Sequence, residues 1–212
     1  MGKQLRYLII LMIALPLVFG SCKKDKEEEQ TPAPQKYQVV KVETDFGNFM
    51  IWLYDDTPQH KENFINLVGQ GFFDSLIFHR VVYDFVIQGG DPEGTGYGGP
   101  GYNIPAEIVA AHHHIYGSVG AARLPDNLNP DRESNGSQYY IVCDPDGEPS
   151  LDGDYTVFGI VFSGMDVVFD ISQVPVDVDA NHRPLDNVYM KKLVFEEYTA
   201  VELSENYGFV IP

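Results

Sequence analysis

The chain has 212 residues, 44% of them hydrophobic and 13% aromatic, which is material for one domain with a real core and too apolar for a disordered chain. Fourteen basic residues against 31 acidic ones give a formal net charge of −17. Such a surface repels phosphate backbones and anionic headgroups, which argues against a nucleic-acid function.

The N-terminus reads as a processing signal. Lys3 and Arg6 precede an apolar run, Tyr7 to Gly20, too short for a comfortable membrane span. The run ends Phe19-Gly20-Ser21-Cys22, small residues just before a cysteine, which resembles the lipobox of bacterial lipoproteins. That resemblance implies cleavage after residue 21 and acylation of Cys22, with Phe19 departing from the usual leucine. An ordinary signal peptide with an incidental Cys22 is the competing reading. The first 21 residues carry only Lys3 and Arg6 as charges, so the remainder stands at −19. If Cys22 is lipidated, the other cysteine, Cys143, has no intrachain partner and reads as a buried, inert thiol. Residues 22–36 are charged and then proline-containing, without an apolar face. They read as a tether, and also suit the charged export segment of surface lipoproteins.

Two strands follow, Tyr37 to Asp45 and Gly47 to Tyr54, turned by Phe46-Gly47-Asn48. The first alternates Val40, Val42 and Thr44 with Lys41, Glu43 and Asp45, as for one wet face; the second is apolar on both faces. Thr57-Pro58 opens a helix with Thr57 as cap; Phe64, Leu67 and Val68 form its apolar face, and Gly69 or Gly71 ends it. A second helix is predicted over Met165 to Ser172. A third, Ala200 to Asn206, follows a capping box of Thr199 with Glu202 and packs through Leu203, Tyr207 and Phe209. Several short strands with two main helices predict a mainly β fold, a closed barrel plugged at its ends.

The chemistry concentrates in Phe78-His79-Arg80-Val81-Val82-Tyr83-Asp84-Phe85-Val86-Ile87-Gln88-Gly89-Gly90-Asp91. A permanently charged guanidinium stands among apolar neighbours, with an amide and two glycines close behind. Such a site suits an apolar substrate with one acceptor atom in need of a donor, as an X-Pro peptide is. Further along come Gly94-Thr95-Gly96-Tyr97-Gly98-Gly99-Pro100-Gly101-Tyr102, Ala121-Ala122-Arg123, Asn135-Gly136-Ser137-Gln138-Tyr139-Tyr140-Ile141-Val142 and Leu151-Asp152-Gly153-Asp154-Tyr155-Thr156-Val157-Phe158-Gly159. In this order and spacing the motifs resemble the cyclophilins, the cyclosporin-binding family of peptidyl-prolyl cis/trans isomerases.

The resemblance covers residues 37–197. It implies an eight-stranded antiparallel barrel with a helix over each opening, residues 198–212 being a C-terminal extension. It implies Arg80 as the catalytic donor and Gln88 as the amide that holds the arginine and meets the peptide. Phe85, Val86, Tyr140 and Leu151 would form the proline pocket, with Val86 replacing a methionine and Tyr140 a phenylalanine. Ala122, Arg123 and Gln138 would contact the peptide, and Phe78, His79 and Tyr155 complete the substrate-binding set, His79 in a more structural role. Ser150 stands where members with high cyclosporin affinity carry tryptophan, so weak drug binding is expected.

No cofactor or metal is expected. His112-His113-His114 lacks ligand spacing, the acids of Asp126 to Glu133 lack a calcium loop, and Gly94 to Gly101 lacks the Lys-Ser/Thr of a phosphate loop. The function predicted is a monomeric isomerase acting on proline-containing polypeptides. It would be lipid-anchored in the envelope of a Gram-negative-type bacterium and assist the folding of exported proteins. The alternative is a module that binds proline-containing segments without turning them over.

Overall fold

The computed structural model describes residues 33–212. The signal segment 1–21, Cys22 and the tether up to residue 32 lie outside the described residues. Twelve strands and three α-helices follow one another from Lys36. They are β1 (Lys36–Thr44), β2 (Asn48–Leu53), α1 (Pro58–Gly69), β3 (Leu76–Val82), β4 (Val86–Gly89), β5 (Asn103–Ile104), β6 (Ser118–Ala121), β7 (Ser134–Asn135), β8 (Tyr139–Val142), β9 (Val157–Ser163), α2 (Met165–Ser172), β10 (Val176–Asp177), β11 (Arg183–Pro184), β12 (Tyr189–Thr199) and α3 (Ala200–Tyr207). Eight of the strands close a barrel in the order β1-β12-β3-β4-β8-β6-β9-β2, and every pairing in it is antiparallel. The predicted barrel is therefore what forms. The remaining short strands pair as β5-β7 and β10-β11.

Strand alternation divides the side chains between two faces. Val40, Val42, Phe49, Ile51, Ile87, Tyr139 and Ile141 point into one interior cluster. Helix α1 adds Phe64, Leu67 and Val68 to that cluster, and α2 adds Val168 and Ile171. Tyr139 and Phe73 meet Phe64 edge-on or tilted, with ring centroids 5.4 and 5.0 Å away.

Two outer faces are also covered. On one, Val39, Met50 and Trp52 lie beneath Leu203 of α3, with Tyr37, Ile160, Phe162, Tyr207 and Phe209 around them. The predicted capping box is present, Thr199 Oγ1 accepting from the Glu202 amide while the Glu202 carboxylate accepts from the Thr199 amide. Strand β12 runs two residues past the expected boundary at Glu197, because Lys36 and Tyr37 still pair with Thr199 and Tyr198. The other covered outer face holds Val86, Ala122, Tyr140 and Val142, with Phe85, Leu151 and Tyr155 packed on them.

One predicted cap is not used. The Thr57 hydroxyl turns back toward the Tyr54 carbonyl at 3.5 Å and accepts no amide of α1. The Glu107 carboxylate does so instead, receiving the amides of Gln59 at 3.1 Å and His60 at 2.9 Å and bonding the His60 ring at 2.6 Å. A full negative charge at a helix N-terminus satisfies orphan donors better than a hydroxyl does. Burial pulls the His60 imidazole below its ordinary value against the opposing pull of Glu107, and the carboxylate itself is held low by those donors, against its own burial.

Candidate active site

The site is built on the outer face of β3, β4, β8 and β6, and a bulge decides which side chains reach it. In β3, Phe78 opposes Gly89 and Arg80 opposes Gln88, so one extra residue, His79, is accommodated between the two pairs. The bulge reverses the alternation there. Phe78 and Val81 enter the interior cluster, while Arg80 is half-buried on the outside. Phe78 and His79 were expected among the substrate contacts; the structure corrects both. Phe78 is fully buried inside the barrel, and His79 is 5% exposed with neither ring nitrogen hydrogen-bonded. Burial lowers the pKa of the His79 imidazole, with Asp91 pulling the other way.

Across the sheet, Arg80, Gln88, Tyr140 and Gly120 follow one another in register. The three-residue turn Tyr83-Asp84-Phe85, with Asp84 left-handed at φ 51°, swings Phe85 beside Arg80, whose guanidinium carbon lies 5.5 Å from the ring centroid. Arg80, Phe85, Val86, Gln88, Ala122, Arg123, Tyr140, Leu151 and Tyr155 line one cavity of about 260 Å³. Nine of the twelve predicted catalytic and substrate-binding residues thus converge. Gln138 is buried and lines an adjoining groove of about 410 Å³, which shares Gln88, Ala122 and Arg123 with the first.

The two arginines of the cavity differ. Arg123 is committed: its Nε donates to the Asp154 carbonyl at 2.9 Å, and its Nη1 to the Leu124 carbonyl at 2.9 Å and the Asp126 carboxylate at 2.6 Å. Its guanidinium also covers the Tyr155 ring at 4.5 Å. The Arg80 guanidinium donates to no acceptor among the described residues; burial lowers its pKa, and a guanidinium stays charged in proteins. Gln88, expected to hold the arginine, does not: its Nε2 donates to Gln138 Oε1 at 3.0 Å. The Gln138 amide in turn donates to the carbonyls of Gly96 and Gly98.

The floor is fixed from below. Tyr140 Oη lies 2.8 Å from His114 Nε2, and His114 Nδ1 lies 2.8 Å from Asp152, which also accepts the His114 amide. Burial lowers the His114 pKa, so the neutral ring donates from Nδ1 to the carboxylate and accepts from the tyrosine at Nε2. These bonds, together with one from His113, outweigh the burial of Asp152 and bring its pKa down to about 2. Tyr140 itself is pushed well up by burial and is no acid. The ring fits because position 120 has no side chain: a Cβ there would stand 2.3 Å from Tyr140 Cζ. Sequence reasoning missed Gly120, which sits in β6 just before the recognised Ala-Ala-Arg motif.

The other motifs find plain roles. Asp91 accepts the amides of Glu93, Thr95, Gly96 and Gly98, which tightens the glycine-rich loop around a carboxylate of the chain itself. His112 stacks on Tyr54 and bonds Asp56, while His113 and His114 both turn to Asp152, so the three imidazoles do not converge. Among the described residues no three His, Cys, Asp or Glu side chains form a group able to hold a metal.

A lone uncommitted guanidinium over an apolar pocket, on the outside of a closed antiparallel barrel, defines a cyclophilin-type site. Comparison bears this out: a family model described as cyclophilin type peptidyl-prolyl cis-trans isomerase/CLD matches residues 39–194. The chain belongs to that family, and its activity is peptidyl-prolyl cis-trans isomerisation. It is 40% identical over 157 residues to a peptidyl-prolyl cis-trans isomerase-like 1 of Neurospora crassa, a match covering 72% of this chain and 91% of the relative. It is 42% identical over 154 residues to a peptidyl-prolyl cis-trans isomerase of Helicobacter pylori, covering 70% and 86%. A cyclophilin type isomerase of Cryptosporidium parvum, crystallised in the presence of the dipeptide Ala-Pro, superposes with a TM-score of 0.68 at 29% identity, covering 74% of this chain and 98% of that one.

Proposed function

We propose that this isomerase turns X-Pro bonds in exported proteins, from a lipid anchor on Cys22 at the cell envelope, and that Arg80 is its catalytic donor. The barrier to rotation, about 18–20 kcal/mol, comes from resonance in the C–N bond. In the twisted state that resonance is lost, and the prolyl nitrogen regains a lone pair. A donor aimed at that nitrogen binds the transition state better than either ground state, as catalysis requires. The observation that carries the reading is the contrast between the two arginines: Arg123 has its donors engaged, and Arg80 faces the cavity with none engaged. Phe85, Val86, Leu151 and the Tyr140 ring give the proline an apolar seat. Gln88, fixed by Gln138, meets the peptide beside it.

The envelope reading rests on the N-terminal sequence, a short basic-then-apolar run closing on Gly20-Ser21-Cys22. From Tyr37 onward, acidic residues outnumber basic ones so heavily that attraction to anionic headgroups could not hold the domain to a membrane. Multiple acylation of one cysteine would. Expressed in a Gram-negative host, the wild type is expected to incorporate labelled palmitate and to pellet with membranes after a high-salt wash. Cys22→Ser should lose the label and appear unprocessed or soluble with unchanged isomerase turnover. Equal pelleting of both after the wash refutes the anchor.

A further inference from the structure

Arg123 stands in the wall shared by the proline cavity and the adjoining groove. Its own donors reach the Asp154 and Leu124 carbonyls and the Asp126 carboxylate, and a second arginine braces that carboxylate. The Asp126 carboxylate takes Arg123 on one oxygen and Arg132 on the other, at 2.6 and 2.9 Å. Arg132 then reaches across with its other nitrogen to the Asp154 carboxylate at 2.5 Å and the Gly153 carbonyl at 3.3 Å. Two loops that do not pair as strands are thereby clamped together. One runs from Leu124 to Glu133 and walls the groove; the other carries Leu151 and Tyr155, which wall the cavity.

Arg132 is the branch point of this clamp; its left-handed backbone, φ 55°, belongs to a local turn in which its amide donates to the Asn129 carbonyl at 3.0 Å. The charges it bridges are half exposed, so they add little to global stability and are open to screening by salt, while the Arg123 side chain they fix is 4% exposed. Arg132 itself lines neither cavity.

We propose that Arg132 is a positioning residue: by bridging Asp126 and Asp154 it holds Arg123 against Tyr155 as the partition between cavity and groove, and so sets the grip on the stretch of polypeptide that flanks the X-Pro bond. This rests on the Arg80 cavity being the catalytic site. A flanking stretch lies along the groove while the proline sits in the cavity, so the partition decides whether both are engaged at once. The clamp should then act on binding of extended substrates and leave bond rotation unchanged.

The test compares kcat and KM for a tetrapeptide with one X-Pro bond and for a proline-containing decapeptide, using wild type, Arg132→Gln, Arg132→Lys and Asp154→Asn, with Arg80→Ala as a separate control. Arg132→Gln should raise KM for the decapeptide about threefold to tenfold with kcat within about twofold, and leave the tetrapeptide nearly unaffected. Arg132→Lys should recover part of the loss, and Asp154→Asn, which cuts one strut only, should fall between. Wild-type KM for the decapeptide should rise with added salt, and that of Arg132→Gln should not. Unchanged decapeptide KM in both Arg132→Gln and Asp154→Asn overturns the proposal, as does an equal fall in kcat on both substrates. Should Arg132→Gln fail to fold, Asp154→Asn alone decides by the same criteria. Full activity in Arg80→Ala would instead refute the assignment of the cavity, whatever the clamp does.

Discussion

Replacing Arg80 by alanine separates catalysis from stability in a way the structure makes quantitative. The guanidinium is half-buried against Phe85 and forms no hydrogen bond or ion pair with the described residues, so the fold loses one cation-ring contact and is relieved of a desolvated charge. The two effects oppose each other, and the net change in stability should stay within about 0.5 kcal/mol, as for a substitution that breaks no partnership. In a domain of this size that is a shift in melting temperature of about 2 °C or less. The transition state, by contrast, loses a charge-assisted donor in a partly dehydrated pocket. Donors of that kind contribute about 3–4 kcal/mol, so kcat/KM should fall by roughly two to three orders of magnitude. Arg80→Lys should recover little, since an ammonium on a flexible stem does not reproduce the planar fork. A protease-coupled isomerase assay at several enzyme concentrations, run beside a thermal melt, reads both quantities. A folded Arg80→Ala protein with kcat/KM within threefold of wild type would refute the donor assignment, and a loss of activity matched by a collapse in melting temperature would show the arginine to be structural.

Gly120→Ala should push the Tyr140 ring off the cavity floor, costing about 1–3 kcal/mol of stability and raising KM for X-Pro peptides, because the new Cβ meets the ring at 2.3 Å; an unaltered KM would show that the floor tolerates the displacement. Leu203→Ala should cost about 2–5 kcal/mol by emptying a fully buried site above Trp52, lowering the melting temperature and shifting the emission of the sole tryptophan while leaving turnover at low temperature intact. Acid should unfold the protein in two stages. Burial depresses the pKa of His60, His79 and His114 in the fold, so the unfolded chain takes up protons first and stability declines as pH falls below about 6.5. Asp91, Glu107 and Asp152 are depressed as well, by the donors they accept, so stability declines again below about 4 and continues to do so toward pH 2, where Asp152 protonates in the fold. A melting temperature that rises between pH 6.5 and 5 would contradict the histidine argument.

The residues that line the cavity were legible because their signals are local: an arginine in an apolar run, and short motifs whose order fixes the strands that carry them. What was not legible depends on register and on distant partners. Leu76 to Val82 is apolar on both faces except at His79 and Arg80, so nothing in it marks the bulge that sends Phe78 inward and Arg80 outward. Thr57 satisfies every local rule for a cap, yet Glu107 displaces it from nearly fifty residues away. Gln88 has the right neighbours in sequence, but the β4-β8 pairing brings Gln138 nearer, and the amide is taken. Gly120 reads as one more small residue until Tyr140 is seen lying across it. The third helix was legible because a capping box and its apolar anchors lie within a few residues of each other.

The pairing of β1 with β12, continuous from Lys36 to Glu43 and shifted by a bulge before Thr44, has a consequence for the order of events in folding. A polypeptide is made N-terminus first, so β1 waits for the last strand of the barrel before its free edge is covered. Until Leu193 and Phe195 are in place, Val40 and Val42 have β2 on one side and no strand partner on the other, and the interior cluster stays open. Closure therefore joins residues from opposite ends of the domain, the slowest kind of contact for a chain to find. The strand that closes the barrel is thus the last to be made, and until it pairs the edge of β1 is open to any strand that meets it.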